Sequence, residues 1–446
     1  MDETLCVINT DIDENGMDVQ LDTQLLKKNI SSLFLVFLFL TLFLGGCDNR
    51  PENKPDVHER TRGLKDNPLA EFQCELLEHA FQTATMIPVI PHLKDRSRAQ
   101  AAVVEACLEL NQAEQALTYI AQIKNWRQGA CYADLAMYCA RHGLDQDVQK
   151  YLEMAKAIAE KEVQGNESSD NSSQEWRRDH IRTKIAQTYV WLGLMPQAEE
   201  IKASEVSSER GKLAIVKAMK GDESTFEKQV KSIDELIAME HYDIILNGLK
   251  ACAQIFKQDY QDEQKRNWAE EKIKTSWAKL PFFIRVELLT ELANAALGHN
   301  DAAKAIKLVD EAQEIIDSRT WDVEHLLPMS AKLISVRFRA GDTEKAKSDA
   351  DFLFIRFEAE KQTIANIYRA GTLRPLAEAF QSMGNKEVAL SIYKKAVEEG
   401  IDNPNSRPRA EDLSATCCSM ALFSMEPDVE LWSKLRQIRD GLGQPW

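Results

Sequence analysis

Residues Leu376–Ala396 read LAEAFQSMGNKEVALSIYKKA, and their spacing predicts one helical hairpin. Leu376, Ala377 and Phe380 fall on one face of a first helix, because residues three and four apart on a helix are neighbours. Gly384 supplies the left-handed conformation that ends a helix, with Asn385 beside it. Ala389, Tyr393 and Ala396 then form the apolar face of the return helix. The small residue at Ala377 lets the partner helix approach closely.

The same spacing recurs along most of the chain. Val103-Val104, Cys107, a turn at Asn111, Ala116 and Ile120 fit it. So do Leu135-Ala136, Cys139, Gly143, Val148, Leu152 and Ala155, and then Ile185-Ala186, Tyr189, Gly193 and Ala198. Leu213-Ala214, Gly221, Phe226, Val230 and Ile233 follow, with a weaker copy around Ala251-Cys252, Ile255 and Asp259. Leu292-Ala293, Ala296, Asn300, Ala305, Val309 and Ala312 match the first-quoted hairpin position for position. Leu333-Ile334, Gly341, Ala346, Ala350 and Leu353 come next, and Cys418, Leu422, Pro427, Leu431, Leu435 and Ile438 form a last pair. A hairpin cannot bury its apolar face alone, so neighbours must stack.

Composition agrees. Gly and Pro together make 31 of 446 residues, few for a chain rich in turns, and no stretch alternates with period two as a strand would. The fold class is all-α. This pattern resembles the tetratricopeptide repeat, most fully between Leu373 and Ala396. The resemblance implies a right-handed α-solenoid over residues 67–446. The turns from Asn111 to Gly384 are 32, 50, 28, 38, 41, 41 and 43 residues apart, against about 34 in that family, so the hairpins are irregular. Gln164 to Glu175 is polar and low in complexity, and reads as a disordered insertion between repeats. Residues 68–95, broken near Pro88 and Pro91, read as a cap at one end of the array, with the Pro427–Leu442 helix capping the other.

The N-terminus reads as an address. Lys27-Lys28 precede the apolar run Leu33–Leu44, which is 12 residues long where a spanning helix needs about 20. Residues 1–46 therefore read as a secretory signal, with Met17 as a start that would give it an ordinary length; an uncleaved membrane helix is the alternative. Leu44-Gly45-Gly46-Cys47 resembles the lipobox of bacterial lipoproteins, which implies cleavage before Cys47 and lipid on its thiol. Residues 47–66, polar and with Pro51 and Pro55, read as a flexible tether.

The formal charge is −16, and an acidic chain is a poor partner for nucleic acid, whose phosphates call for a basic surface. Gly-rich phosphate loops, HExxH and GxSxG are absent. The eight histidines are scattered without metal-ligand spacing. Nothing points to a reaction, a metal or a cofactor, and the chain reads as a non-enzyme. The cysteines at Cys107, Cys139, Cys252 and Cys418 stand where the repeat takes a small apolar side chain. Cys107 and Cys139 hold equivalent places in adjacent hairpins, which makes a disulfide between them a hypothesis.

In tetratricopeptide solenoids the first helix of each hairpin lines the concave, partner-binding surface. The resemblance then places Trp191, Phe338 and Gln381 towards that groove, with Arg141 and Arg339 at its edge. Of the Lys and Asn set with which one subtype grips a C-terminal carboxylate, only Asn294 stands suitably. The expected function is a lipid-anchored, extracytoplasmic scaffold or adaptor that binds a protein or peptide in the cell envelope. A structural subunit of an envelope assembly is the alternative; an enzyme or sugar-binding protein is a third.

Overall fold

A computed structural model of the protein describes residues 64–164, 171–201, 211–220, 226–239 and 241–446. The chain divides into Met1–Arg50 and Pro51–Trp446, and only the second unit contains described residues. The signal segment, Cys47 and the tether up to residue 63 lie outside them. Among the described residues all regular structure is helical, and no helix is long and apolar enough to cross a membrane.

In chain order the α-helices are α1 (Glu71–Met86), α2 (Val89–Glu109), α3 (Ala113–Ile120), α4 (Arg127–Arg141), α5 (Asp145–Gln164), α6 (Asn171–Leu192), α7 (Met195–Glu200), α8 (Lys212–Lys220), α9 (Phe226–Ala238) and α10 (Tyr242–Gln258). There follow α11 (Glu263–Ser276), α12 (Phe282–Gly298), α13 (Ala302–Asp317), α14 (Val323–Arg339), α15 (Thr343–Glu360), α16 (Asn366–Ser382), α17 (Lys386–Ile401), α18 (Ser406–Leu422) and α19 (Val429–Asp440). Helix α6 begins at Asn171, inside the stretch read as an insertion; residues 165–170 lie outside the described residues.

The hairpin turns share one geometry. Asn111, Gly143, Gly193, Asn300, Gly341 and Gly384 all have positive φ, between 58° and 95°, as the sequence pattern requires. Each is followed by a residue whose N–H donates back five positions to the helix. Examples are Asn385 to the Phe380 carbonyl at 3.0 Å, Leu144 to Cys139 at 2.9 Å and Gln112 to Cys107 at 2.8 Å. This wide-turn bond satisfies one of the carbonyls left free at a helix C-terminus. In the last hairpin Ser424, not the region of Pro427, takes the left-handed place, at φ 51°. Gly221 lies outside the described residues, and Asp259, at φ −99°, ends its helix without a left-handed residue.

The packing order makes this a solenoid of two layers. Each even-numbered helix from α2 to α18 packs closely against the next even-numbered helix, whereas successive odd-numbered helices meet mainly through long side chains, as in the Lys274–Glu311 and Lys304–Glu270 pairs between α11 and α13. On a curved stack the inner layer is the one whose members pack closely, so the even helices line the concave side. The small residues quoted above, Ala136, Ala186, Ala293 and Ala377, are all at 0% exposure and sit where the layers meet.

The array is also closed. α18 packs against α2, so the nine inner helices among the described residues form a continuous circuit. The segment read as an N-terminal cap is what closes it. α1 makes its most extensive contact with α18 and a second with α2, so it fills the outer place of the last hairpin. Across this seam Gln73 Nε2 donates to the Ala421 carbonyl at 2.8 Å and to Ser424 Oγ at 3.2 Å. Arg98 pairs with Glu411 at 2.7 Å and Arg436 with Glu75 at 2.7 Å. α19, expected to be the return helix of the last hairpin, lies outside α17 and α18 and takes a bond from α1, His79 Nε2 to the Leu435 carbonyl at 3.2 Å. Periodicity marks apolar faces but says nothing about which distant helix will cover them.

All seven described cysteines are free thiols. Cys107 and Cys139, each 0% exposed, fill small-residue places in their own hairpins, and the disulfide hypothesised between them does not form.

Candidate functional site: the inner face of the helical layer

The inner helices bury three sides and leave one. On α4 the uncovered residues include Asp134 and Arg141; on α6, Lys184 and Trp191; on α12, Glu287 and Asn294; on α14, Lys332 and Arg339. Each pair is seven residues apart, which is two helical turns on one stripe. The inner face is therefore polar and strongly charged.

Much of that charge is neutralised across adjacent helices. Lys184 Nζ reaches Asp134 at 2.5 Å, Lys332 reaches Glu287 at 3.6 Å, and Arg374 on α16 reaches Asp412 on α18 at 3.1 Å. Gln254 on α10 donates to Glu291 on α12 at 2.9 Å. Burial raises the Glu291 carboxyl to about 7, opposed by Lys250 and Lys257. Burial likewise raises Glu378 and, with the neighbouring carboxylates of Glu109 and Asp134, Glu105.

Other polar atoms of this face have no partner. Arg141 Nε, both carboxylate oxygens of Glu109, Glu287 Oε2, Gln254 Oε1 and Gln381 Oε1 are buried and make no hydrogen bond. Glu109 is raised by burial to about 8, so it is mostly protonated at neutral pH. Unpaired buried polar atoms are costly; Arg127 Nε, Asn403 Nδ2 and Arg409 Nε, away from this face, share the condition.

The residues expected to face the groove fall into two groups. Arg141 and Trp191 come together: the guanidinium lies 5.0 Å from the indole centre. Arg141 Nη2 also points at Met219 Sδ, at 3.9 Å, from across α6. Desolvation lowers the Arg141 pKa. Arg339 is exposed and donates through Nη2 to Asn294 Oδ1 and through Nε to the Ser335 carbonyl at 3.3 Å; Phe338 beside it is half-buried. Gln381 donates to the Phe423 and Ser424 carbonyls at 3.1 and 3.4 Å, which ties the end of α18 to α16. Glu109, Lys257 and Gln254 are inner-face residues that sequence reasoning did not single out. The signal was their position: Glu109 and Lys257 stand two residues before the turns at Asn111 and Asp259, as Arg141, Trp191 and Arg339 do before theirs. No group of His, Cys, Asp and Glu suited to a metal ion occurs among the described residues.

No family model matches the chain, and no curated protein or solved structure matches it either.

Proposed function

We propose that this protein is a lipid-anchored, extracytoplasmic helical-repeat scaffold that binds a protein partner in the cell envelope through the inner face of its helical layer. The observation that carries the binding part is the charged stripe on that face, formed by Asp134 and Arg141, Lys184 and Trp191, Glu287 and Asn294, and Lys332 and Arg339. A wall that only closed a core would present apolar side chains there. Its chemistry is recognition by pre-positioned side chains on rigid helices. Lys27-Lys28, the apolar run Leu33–Leu44 and Cys47 support the anchoring part, since lipid on Cys47 would hold the chain at a membrane.

Two experiments test this separately. Metabolic labelling with a fatty acid should mark the wild type and not Cys47→Ala; equal labelling of both refutes the anchor. Cross-linking in native membranes should recover a protein partner, and recovery of none refutes the scaffold. One observation favours the second reading, a fixed subunit of an envelope assembly. Phe352 and Ile355, one turn apart on the outer helix α15, are 61% and 66% exposed, a large apolar display on a water-facing helix. Under that reading the protein migrates in one large stable complex.

A further inference from the structure

We propose that one mouth of the closed inner layer is a cationic collar that takes an acidic, carboxylate-bearing segment of the partner. The inference rests on the scaffold reading above and adds the chemistry of what is bound.

The collar is defined by register. The residues two positions before each turn share one height on the inner wall: Glu109, Arg141, Trp191, Met219, Lys257, Gly298, Arg339, Ser382 and Leu422. Three are cations, in a chain whose formal charge is −16. The single acid, Glu109, is held protonated near neutral pH because burial lifts it to about 8. The layer is thus positive, against the charge of the molecule.

What separates Arg141 and Arg339 from the other cations on the wall is pairing. Lys184, Lys332 and Arg374 each face a carboxylate. Arg141 touches an indole and a thioether sulfur. Arg339 touches an amide and a carbonyl oxygen. Neither forms an ion pair among the described residues. Desolvation lowers the pKa of Arg141, opposed by the charge of Asp134 two turns before it. A guanidinium that holds only neutral partners has donors to offer, and a carboxylate gives it charge-assisted hydrogen bonds.

Geometry allows one segment to meet both. Helix α4 is the second of nine inner helices and α14 the seventh, so Arg141 and Arg339 stand on opposite walls. Nine helices spaced about 8–10 Å apart set helix axes roughly 13 Å from the centre. A helix backbone and an Arg side chain take up most of that distance, so a segment threaded along the centre lies within side-chain reach of both walls. The collar offers separate planar guanidiniums on rigid helices, suited to successive carboxylates. The backbone N–H groups of the adjoining turns that a phosphate would use are committed to helix carbonyls, as at Gln112, Leu144 and Asn385.

The competing account is that Arg141, Lys257 and Arg339 only offset the partial negative charge of helix C-termini. The two accounts differ in what they predict. The full chain in detergent is titrated against a fluorescein-labelled peptide of alternating Glu and Ser, with a Gln–Ser peptide as neutral control and inorganic phosphate as competitor. Fluorescence anisotropy should show saturable binding of the acidic peptide alone. Arg141→Gln and Arg339→Gln should each weaken it about tenfold, as loss of a buried anchor does. Arg436→Gln, which removes a surface cation paired with Glu75, should leave it unchanged. Absence of binding by the wild type overturns the proposal, as does equal weakening by Arg436→Gln. Variants that melt earlier yet bind normally leave only the helix-end role and also overturn it. Phosphate that displaces the peptide at equal charge reassigns the site to free anions. A partner recovered from membranes as well by the Arg141→Gln/Arg339→Gln double variant sinks the collar and leaves the scaffold standing.

Discussion

The closure by α1 makes a demand that an open array would not meet. Leu77 is 0% exposed and lies one turn after Gln73, on the face that bonds α18. Leu77→Ala removes a buried side chain and leaves a cavity, which costs about 2–5 kcal/mol. Taking about 3 kcal/mol and a factor of ten per 1.4 kcal/mol, opening of the seam should become about a hundredfold more frequent. Amide hydrogen exchange followed by mass spectrometry reads this directly. Peptides covering 406–422 should lose protection along with those covering 71–86, although more than 300 residues of sequence separate the two. The hairpin α12–α13, on the far side of the layer, should change far less. Faster exchange confined to 71–86, with 406–422 untouched, would refute the closure: α1 would then be a terminal cap.

Further outcomes follow from single positions. At Gly384, with φ 77° and open space around a would-be Cβ, strain alone governs substitution. Gly384→Ala should cost about 1–2 kcal/mol, and Gly384→Asn less, since Asn111 and Asn300 already fill the equivalent place; urea midpoints give the ranking. His79 is lowered to about 4, chiefly by burial and then by Arg439. The folded state therefore binds fewer protons than the unfolded one between pH 6.5 and 4, and seam stability should fall as pH drops through that window. Glu109 and Glu291, raised to about 8 and 7, act in the opposite sense: the folded state binds more protons, and stability falls as pH rises from 4.5 through 8. Urea unfolding of Glu109→Gln against pH should show a flatter alkaline limb, with a gain on the order of 1 kcal/mol at its end.

The two levels of this fold differ in how far the sequence exposes them. Turn positions were legible because Asn111, Gly143, Gly193, Asn300, Gly341 and Gly384 are residue types that a left-handed backbone selects. Core positions were legible because Ala377, Phe380, Ala389 and Tyr393 repeat with helical period. The seam was not, since α1 carries an ordinary apolar stripe and no local signal says that α18 covers it. The inner-face residues were half legible. Register put Arg141, Trp191 and Arg339 on the wall, but Gln381 is engaged in holding α18, a role its position does not reveal. Which charges are paired depends on helices that sequence does not place side by side.

Closure also bears on how the chain can vary. An open solenoid gains or loses a repeat at its end with little disturbance, because each unit contacts only its neighbours. A circuit has no end at which to do so. With nine inner helices each step turns the layer through about 40°, and removing one hairpin would force every remaining step to about 45°. Hairpin length is free to drift, as the 28 to 50 residue spacings show, while hairpin number is locked. Whole-repeat insertions and deletions should be excluded from this array, and change confined to loops, helix lengths and the residues that face inward.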